Sequence, residues 1–470
     1  MKKLVVILLI LLSHFNSFAT HVTGGNISYE CIGPNSFVVT LTVLEDCGTA
    51  FMGNAPETVM VSNSCGLTNP NINLPNVVFQ GEVSQVCSQQ ITQSECNGGG
   101  LPGVYMHVWR DTITLPGGCD SWIFSWDGCC RNMSVNSLGG SPLNYYFESI
   151  LNSTTFPCNS SPEIISATIP YVCVNQPVNF NLGIFEKDGD SLHYSLVSAM
   201  TGPNSNMPYN AGYSGASPIN GINIDPATGE ITFTTSILGN YVVVVLIEEF
   251  DDNGNIKGSF LYDFQFEVLN CSNTTPSSPS TGLSNFSGGA TLTGNNSLQA
   301  CHSDSICFDL VFTDNNSTDS IFISSNVNQF FPGATVSQNS FFSPVTASVC
   351  LLVGANSNAF NTIVVDAIDN ACPIFGKSSV AIGISVVNSA YAGPDLEICL
   401  GDSVQLNGSG GSVFNWSVVN GDPISIGGNF SCNNCNNPIA FPSTTTTYNL
   451  YTNLSGNCFS ANTITVTVGP

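Results

Sequence analysis

The chain has 470 residues, too many for one hydrophobic core, and only 8% of them are charged, against about a quarter in an ordinary globular protein. Acidic residues outnumber basic ones 32 to 7, for a net charge of −25. A surface of that sign repels nucleic acid and anionic membrane and excludes both as partners.

The first twenty residues, "MKKLVVILLILLSHFNSFAT", place Lys2 and Lys3 before an apolar run from Leu4 to Leu12. Ser17 and Ala19 put small residues at the −3 and −1 positions of a cleavage site. This is the pattern of a secretory signal peptide over 1–19. No later segment is apolar for long enough to be a membrane helix, so membrane insertion is not expected. All 19 cysteines follow the signal, which predicts disulfides formed in an oxidising, extracellular compartment. Cys432 and Cys435 make the one CxxC, with no second pair at zinc spacing.

Beyond the signal, helical periodicity is almost absent. Runs such as "SFVVTLTVLED", "GEITFTTSI", "NYVVVVLIEEF", "YDFQFEVLN", "SSVAIGISVV" and "NTITVTV" are short, rich in Val, Ile, Thr and Phe, and bounded by Gly, Pro, Asn and Asp. They predict an all-β chain of tandem, disulfide-rich β-sandwich domains. Residues 20–161 hold nine cysteines, including the vicinal pair Cys129-Cys130, and are expected to form a separate β domain.

An internal repeat organises the remainder. "CVNQPVNFNL" from Cys173, "CHSDSICFDL" from Cys301 and "CLGDSVQLNG" from Cys399 share one pattern, and "NACPIFGKSSVAIGISVV" and "GNCFSANTITVTV" correspond at unit ends. Three sandwiches follow, over 162–272, 273–388 and 389–470, the first ending at the polar linker "CSNTTPSSPSTG". The repeat suggests bridges Cys399–Cys458 and Cys301–Cys372, each from an early strand to the turn before the last one. It also suggests Cys307–Cys350 across a core, Cys173–Cys271 closing its unit, and a local Cys432–Cys435 loop. Spacing alone does not fix connectivity.

Gly189-Asp190-Ser191-Leu192 spells GDSL, the string around the nucleophile of one esterase family. A serine hydrolase also needs a base within hydrogen-bond reach. His193, two residues on along a strand, would stand about 7 Å away. Asp-Ser followed by an aliphatic residue recurs at Asp304, Asp319 and Asp402, so Ser191 reads as a turn residue. Glu248-Glu249 and Asp251-Asp252 are adjacent on or beside a strand and point to opposite faces, which makes no catalytic dyad. The cluster His107, Trp109, Arg110, Asp111, Trp122, Trp126 and Asp127 reads either as core or as a platform on which sugars stack. Glu186, Asp188, Asp190 and Asp251 are the candidate ligands for calcium, which prefers carboxylate and carbonyl oxygens. "DDNGN" at 251–255 serves equally as a hairpin turn.

"DGDSLHYSL" followed by "GINIDPATGEITFTTSILGNYVVVV" resembles the cadherin-like modules of bacterial surface proteins. "AYAGPDLEICLGDSVQLNGSGGSVFNWS" is similar to their PKD-like and immunoglobulin-like repeats, which would make Trp416 a core residue. "THVTGGNISYECIGPNSFVVTLTVLEDC" and "FSWDGCCRN" resemble the opening module of Bacteroidetes gliding-motility-associated proteins and related adhesins. The resemblance implies type IX secretion to the cell surface and a non-catalytic adhesin or scaffold binding surface glycans or proteins. The linker after Cys271 lacks the acidic motif through which cadherins bind interdomain calcium. The alternative is a secreted carbohydrate-active or proteolytic enzyme with its chemistry in 20–161 and accessory modules after it.

Overall fold

A computed structural model of the chain describes residues 22–48, 53, 55–138, 143–164, 170–188, 190–251, 253–271, 273–278, 282–294, 296–301, 304–354, 360–387, 390–410, 413–453 and 459–470. The signal segment 1–19 lies outside them. The described chain is built almost wholly of β-strands, and no helix in it is long and apolar enough to cross a membrane. Contacts divide the protein into two units. The first comprises residues 1–179, 192–275 and 370–376; the second comprises 180–191, 276–369 and 377–470.

The first unit is organised by one sheet. Its main path runs Ile72–Leu74, Glu57–Asn63, Trp122–Cys129, Asn144–Leu151, Ile256–Leu269, Val22–Gly33, Ser36–Asp46, Val104–Thr114, Val77–Glu82. Alternation explains residues 36–43, where Phe37, Val39, Leu41 and Val43 are buried and the residues between them half-buried, until Leu44 and Glu45 break the pattern by being buried too. Ile256–Leu269 differs. Phe260, Tyr262, Phe264 and Phe266 are buried on one face, and Leu261, Asp263 and Gln265 on the other. It pairs antiparallel with Gly239–Phe250 along its length, with 149–151 through residues 258–260, and with Gly25 at Asp263. The expected boundary at 161/162 therefore does not separate two sheets. A strand from 162–272 sits inside the sheet of 20–161, and one core joins Phe147 and Trp109 to Val242, Val244 and Leu261.

That placement puts Asp263 in a buried interior, where an unpaired carboxylate would be costly. Arg131 answers it. Its Nη1 donates to Asp263 Oδ1 at 2.8 Å, its Nη2 donates to Asp263 Oδ2 and to Met200 O, and its guanidinium lies 3.6 Å over the Tyr145 ring.

Two core clusters of the second unit stand among its described residues. Around Phe308, Leu310, Phe312, Ile363 and Ile382, a four-stranded sheet (284–287, 305–312, 345–352, 335–338) faces a five-stranded one (291–294, 297–301, 377–387, 360–369, 321–325). Around Trp416, Tyr448, Leu450 and Ile464, the strands 396–399, 459–469, 446–453 and 413–420 form a sheet beside the pair 404–405 and 439–440.

The repeated cysteines mark equivalent places. Tyr171–Cys173, Ser297–Cys301 and Leu396–Cys399 each run parallel to the last strand of their segment, with Cys173 beside Leu269, Cys301 beside Val387 and Cys399 beside Gly469. Each cysteine thus stands at the finish of a last strand, not at the turn before its start. The structure accordingly joins Cys173 to Cys271, two residues past Leu269. The same direction defeats the expected Cys301–Cys372 bridge, because Cys372 precedes the eleven-residue strand 377–387 and Cys301 is level with its end. Cys372 is bonded to Cys87 instead, and Cys301 is disulfide-bonded elsewhere. Cys399 carries an exposed free thiol, against the expected Cys399–Cys458 bond; Cys458 lies outside the described residues. Cys307–Cys350 links directly opposed residues of neighbouring strands, so it lies within a sheet and does not cross the core. Cys432 is bonded to Cys435, and the first unit is further pinned by Cys31–Cys158, Cys47–Cys96, Cys65–Cys119 and Cys129–Cys130.

Candidate functional site

The acidic turn after the short strand Ile184–Phe185 gathers three of the four candidate calcium ligands. The Glu186 side chain, 5% exposed, accepts the N–H of Asp188 on Oε1 at 2.9 Å and that of Asp190 on Oε2 at 2.8 Å. The carboxylate therefore closes the turn from inside, which brings the flanking acids round it. One oxygen each from Glu186, Asp188 and Asp190 lie within 4.8 Å of one another; Asp190 is buried and Asp188 exposed. Burial pushes the Glu186 pKa up to about 7, with Asp190 and Asp188 adding repulsion against the relief from the two N–H groups. Phe185 anchors the turn, its ring meeting Phe330 edge-on at 5.2 Å within the second unit. A compact all-oxygen set of this kind suits a hard cation such as Ca²⁺.

Asp251 is not part of that group. It belongs to the first unit and serves the hairpin between Gly239–Phe250 and Ile256–Leu269. Its Oδ1 accepts the N–H of Asn253 (2.9 Å) and of Asn255 (2.8 Å), and its Oδ2 accepts Asn255 Nδ2 at 2.9 Å. Those bonds hold its pKa below the usual carboxylate value. The "DDNGN" segment is thus a side-chain-closed turn, and Asp251 is withdrawn from the calcium set.

Ser191 is exposed and opens the strand Ser191–Val197. His193, half exposed, directs Nδ1 to Glu248 Oε2 at 3.6 Å. Ser191 is therefore the first residue of a strand, whereas the sequence reading put it in the turn.

The aromatic cluster of 20–161 is core. Trp109 and Trp122 are fully buried and Trp126 nearly so. Their indole N–H groups donate to Ala55 O, Gly117 O and Glu57 Oε2. His107, also buried, stacks on Trp109 with Nε2 2.8 Å from Glu45 Oε2 and Nδ1 3.3 Å from Gln80 Nε2. Arg110 lies outside on Thr40, and Asp111 accepts the N–H of Thr112. No ring among these three tryptophans is open to a sugar. The Arg131–Asp263 pair escaped the sequence reading; its signal was an acid centred in the apolar run "SFLYDFQFEV".

No family model and no curated protein matches the chain. Solved structures do. An eight-immunoglobulin-domain segment of Down Syndrome Cell Adhesion Molecule is 8% identical with a TM-score of 0.24, covering 95% of this chain and 50% of its own. Sidekick-1 immunoglobulin domains 1–4 are 8% identical at a TM-score of 0.21, covering 93% and 95%. An endo-fucoidan hydrolase of glycoside hydrolase family 107 is 13% identical at 0.19, covering 67% and 45%. This chain thus spans half the length of the first of these. At such TM-scores none of the likenesses carries an argument about activity.

Proposed function

We propose that the protein is an exported, non-catalytic adhesin or surface scaffold whose sandwiches bind surface proteins or glycans. In this reading Glu186, Asp188 and Asp190 hold a calcium ion that stiffens the second unit next to Phe330. The observation that supports it best is where the reactive and aromatic side chains are spent. Four tryptophans and His107 are consumed in cores, Ser191 begins a strand, and disulfides tie strands and loops of the fold together. That construction suits an exposed binding surface in an oxidising environment. The resemblance to gliding-motility-associated proteins extends the reading: loss of the chain should slow the spreading of its host over surfaces.

The test uses beads coated with the mature chain and presented to arrays of surface proteins and of glycans, in calcium and in chelator. Calcium-dependent capture on either array is expected. Ester or glycoside turnover by the purified chain, abolished by Ser191→Ala, would overturn the reading.

A further inference from the structure

The first unit carries a cavity of about 550 Å³ where its main sheet forks. Strand Asn144–Leu151 pairs with Ile256–Leu269 through residues 149–151, and at Tyr146 it pairs with Met200 instead. The short hairpin of Met200–Gly202 and Ser205–Asn206 thus takes over the edge that Ile256–Leu269 leaves, and Glu148 stands at the parting. The ladders fix the floor of the fork. Ile150 lies opposite Ser259 and Leu246 opposite Leu261, so these four side chains share one face. All four line the cavity, and Leu196 and Met200 extend its apolar wall. Its volume falls within the range of small-molecule sites.

Glu148 is the one charged side chain in the lining, and no Lys or Arg lines it. Its Oε2 accepts the Tyr146 hydroxyl at 2.7 Å, which holds the carboxylate in place. Among the described residues Glu148 makes no ion pair. Glu248, opposite Ser259 in the ladder, puts a second carboxylate on the same face, its Oε2 3.6 Å from His193 Nδ1. This pattern selects the ligand. An anion would meet Glu148 and the field of a chain with net charge −25. A sugar would find no ring to stack on, since no aromatic side chain lines the cavity. A wholly apolar molecule would strip water from Glu148 and give its carboxylate no partner in return. An apolar body that ends in an ammonium group meets both demands: it covers Ile150, Leu246 and Leu261, and it gives Glu148 a charge-assisted hydrogen bond.

We propose that this cavity binds a small amphiphilic amine, with Glu148 as the counter-ion of the ammonium group and Ile150, Leu246, Leu261 and Met200 around the apolar body. The site belongs to the first unit and the acidic turn to the second, so neither needs the other. Nor does it depend on what the sandwiches adhere to.

The experiment titrates the mature chain by calorimetry with phenylbutylamine, with its neutral counterpart phenylbutanol and with its anionic counterpart phenylbutanoate. One equivalent of the amine should bind. The alcohol should bind about tenfold more weakly or worse, the worth of one charged hydrogen bond, and the acid should not bind. Glu148→Gln should bring the amine down to the affinity of the alcohol, because the amide keeps an oxygen for the Tyr146 hydroxyl but loses the charge. Ala216→Trp fills the cavity from an exposed position in its lining and should block amine and alcohol alike. Neither change removes a buried apolar group, so both variants should melt as the parent does. Equal binding of amine and alcohol would overturn the proposal, as would an absence of binding at millimolar amine. Amine held by the acidic surface at large would bind in many equivalents and ignore both substitutions, and that result too would overturn it.

Discussion

Glu186 is the residue at which burial, charge and proposed ligand meet, and its proton gives a direct reading of them. Its folded pKa of about 7 stands above the 4.5 of an ordinary glutamate. The folded state therefore holds the proton more tightly than the unfolded one. The stability this confers is fully present below about pH 4.5 and is lost as pH rises through about 7. The gap is worth on the order of 3 kcal/mol for this buried group. In chelator the second unit should melt progressively lower between about pH 5 and pH 8, and Glu186→Gln should flatten that slope. Calcium should restore the loss in the parent at pH 8, since a ligand held only by the folded state stabilises by mass action. Calorimetric scans across that range check all three. Ser191→Ala, by contrast, alters an exposed strand start and should move stability by no more than about 0.5 kcal/mol in urea unfolding.

At the scale of elements, alternation made most strands legible: "SFVVTLTV" reads buried and half-buried as it folds. The closeness of Glu186, Asp188 and Asp190 was legible too, because acids two residues apart in one tight turn stand near one another. What alternation could not show is which sheet a strand joins. Ile256–Leu269 is buried on both faces, so its pattern is continuous and names no partner; only Asp263 hinted at a charge waiting elsewhere in the chain. Asp251 misled because a turn and a cation loop require the same residue types. The Cys372 partner was illegible for a topological reason: the repeat aligned cysteines correctly, but the parallel run of first and last strands puts them at opposite ends. Two experiments probe these elements. Arg131→Met or Asp263→Asn, each stranding a buried partner, should cost about 3–5 kcal/mol, and Arg131→Met/Asp263→Leu should recover part of it. Non-reducing peptide maps should find Cys87 joined to Cys372, and replacing both by serine should cost about 2–5 kcal/mol.

For the whole molecule, the shared sheet sets what can fold alone. A fragment of residues 162–272 keeps the Gly239–Phe250 hairpin partner of Ile256–Leu269 but loses the strands that flank it from 22–33 and 144–151. It should be largely unfolded by amide chemical-shift dispersion, whereas a fragment of 20–275 should retain the sheet. A cooperative melt of the isolated 162–272 fragment would contradict this. The Cys87–Cys372 bond has a further, mechanical meaning. A chain anchored at one end and pulled at the other lengthens only along residues that no covalent bridge bypasses. This bridge spans a sequence separation of 285 residues. At about 3.5 Å per extended residue it locks away about 1,000 Å of contour length that tension cannot draw out. Under load the segment 87–372 should stay short whatever the sandwich inside it does, extension being left to the residues outside the bridge, and mild reduction should release the rest.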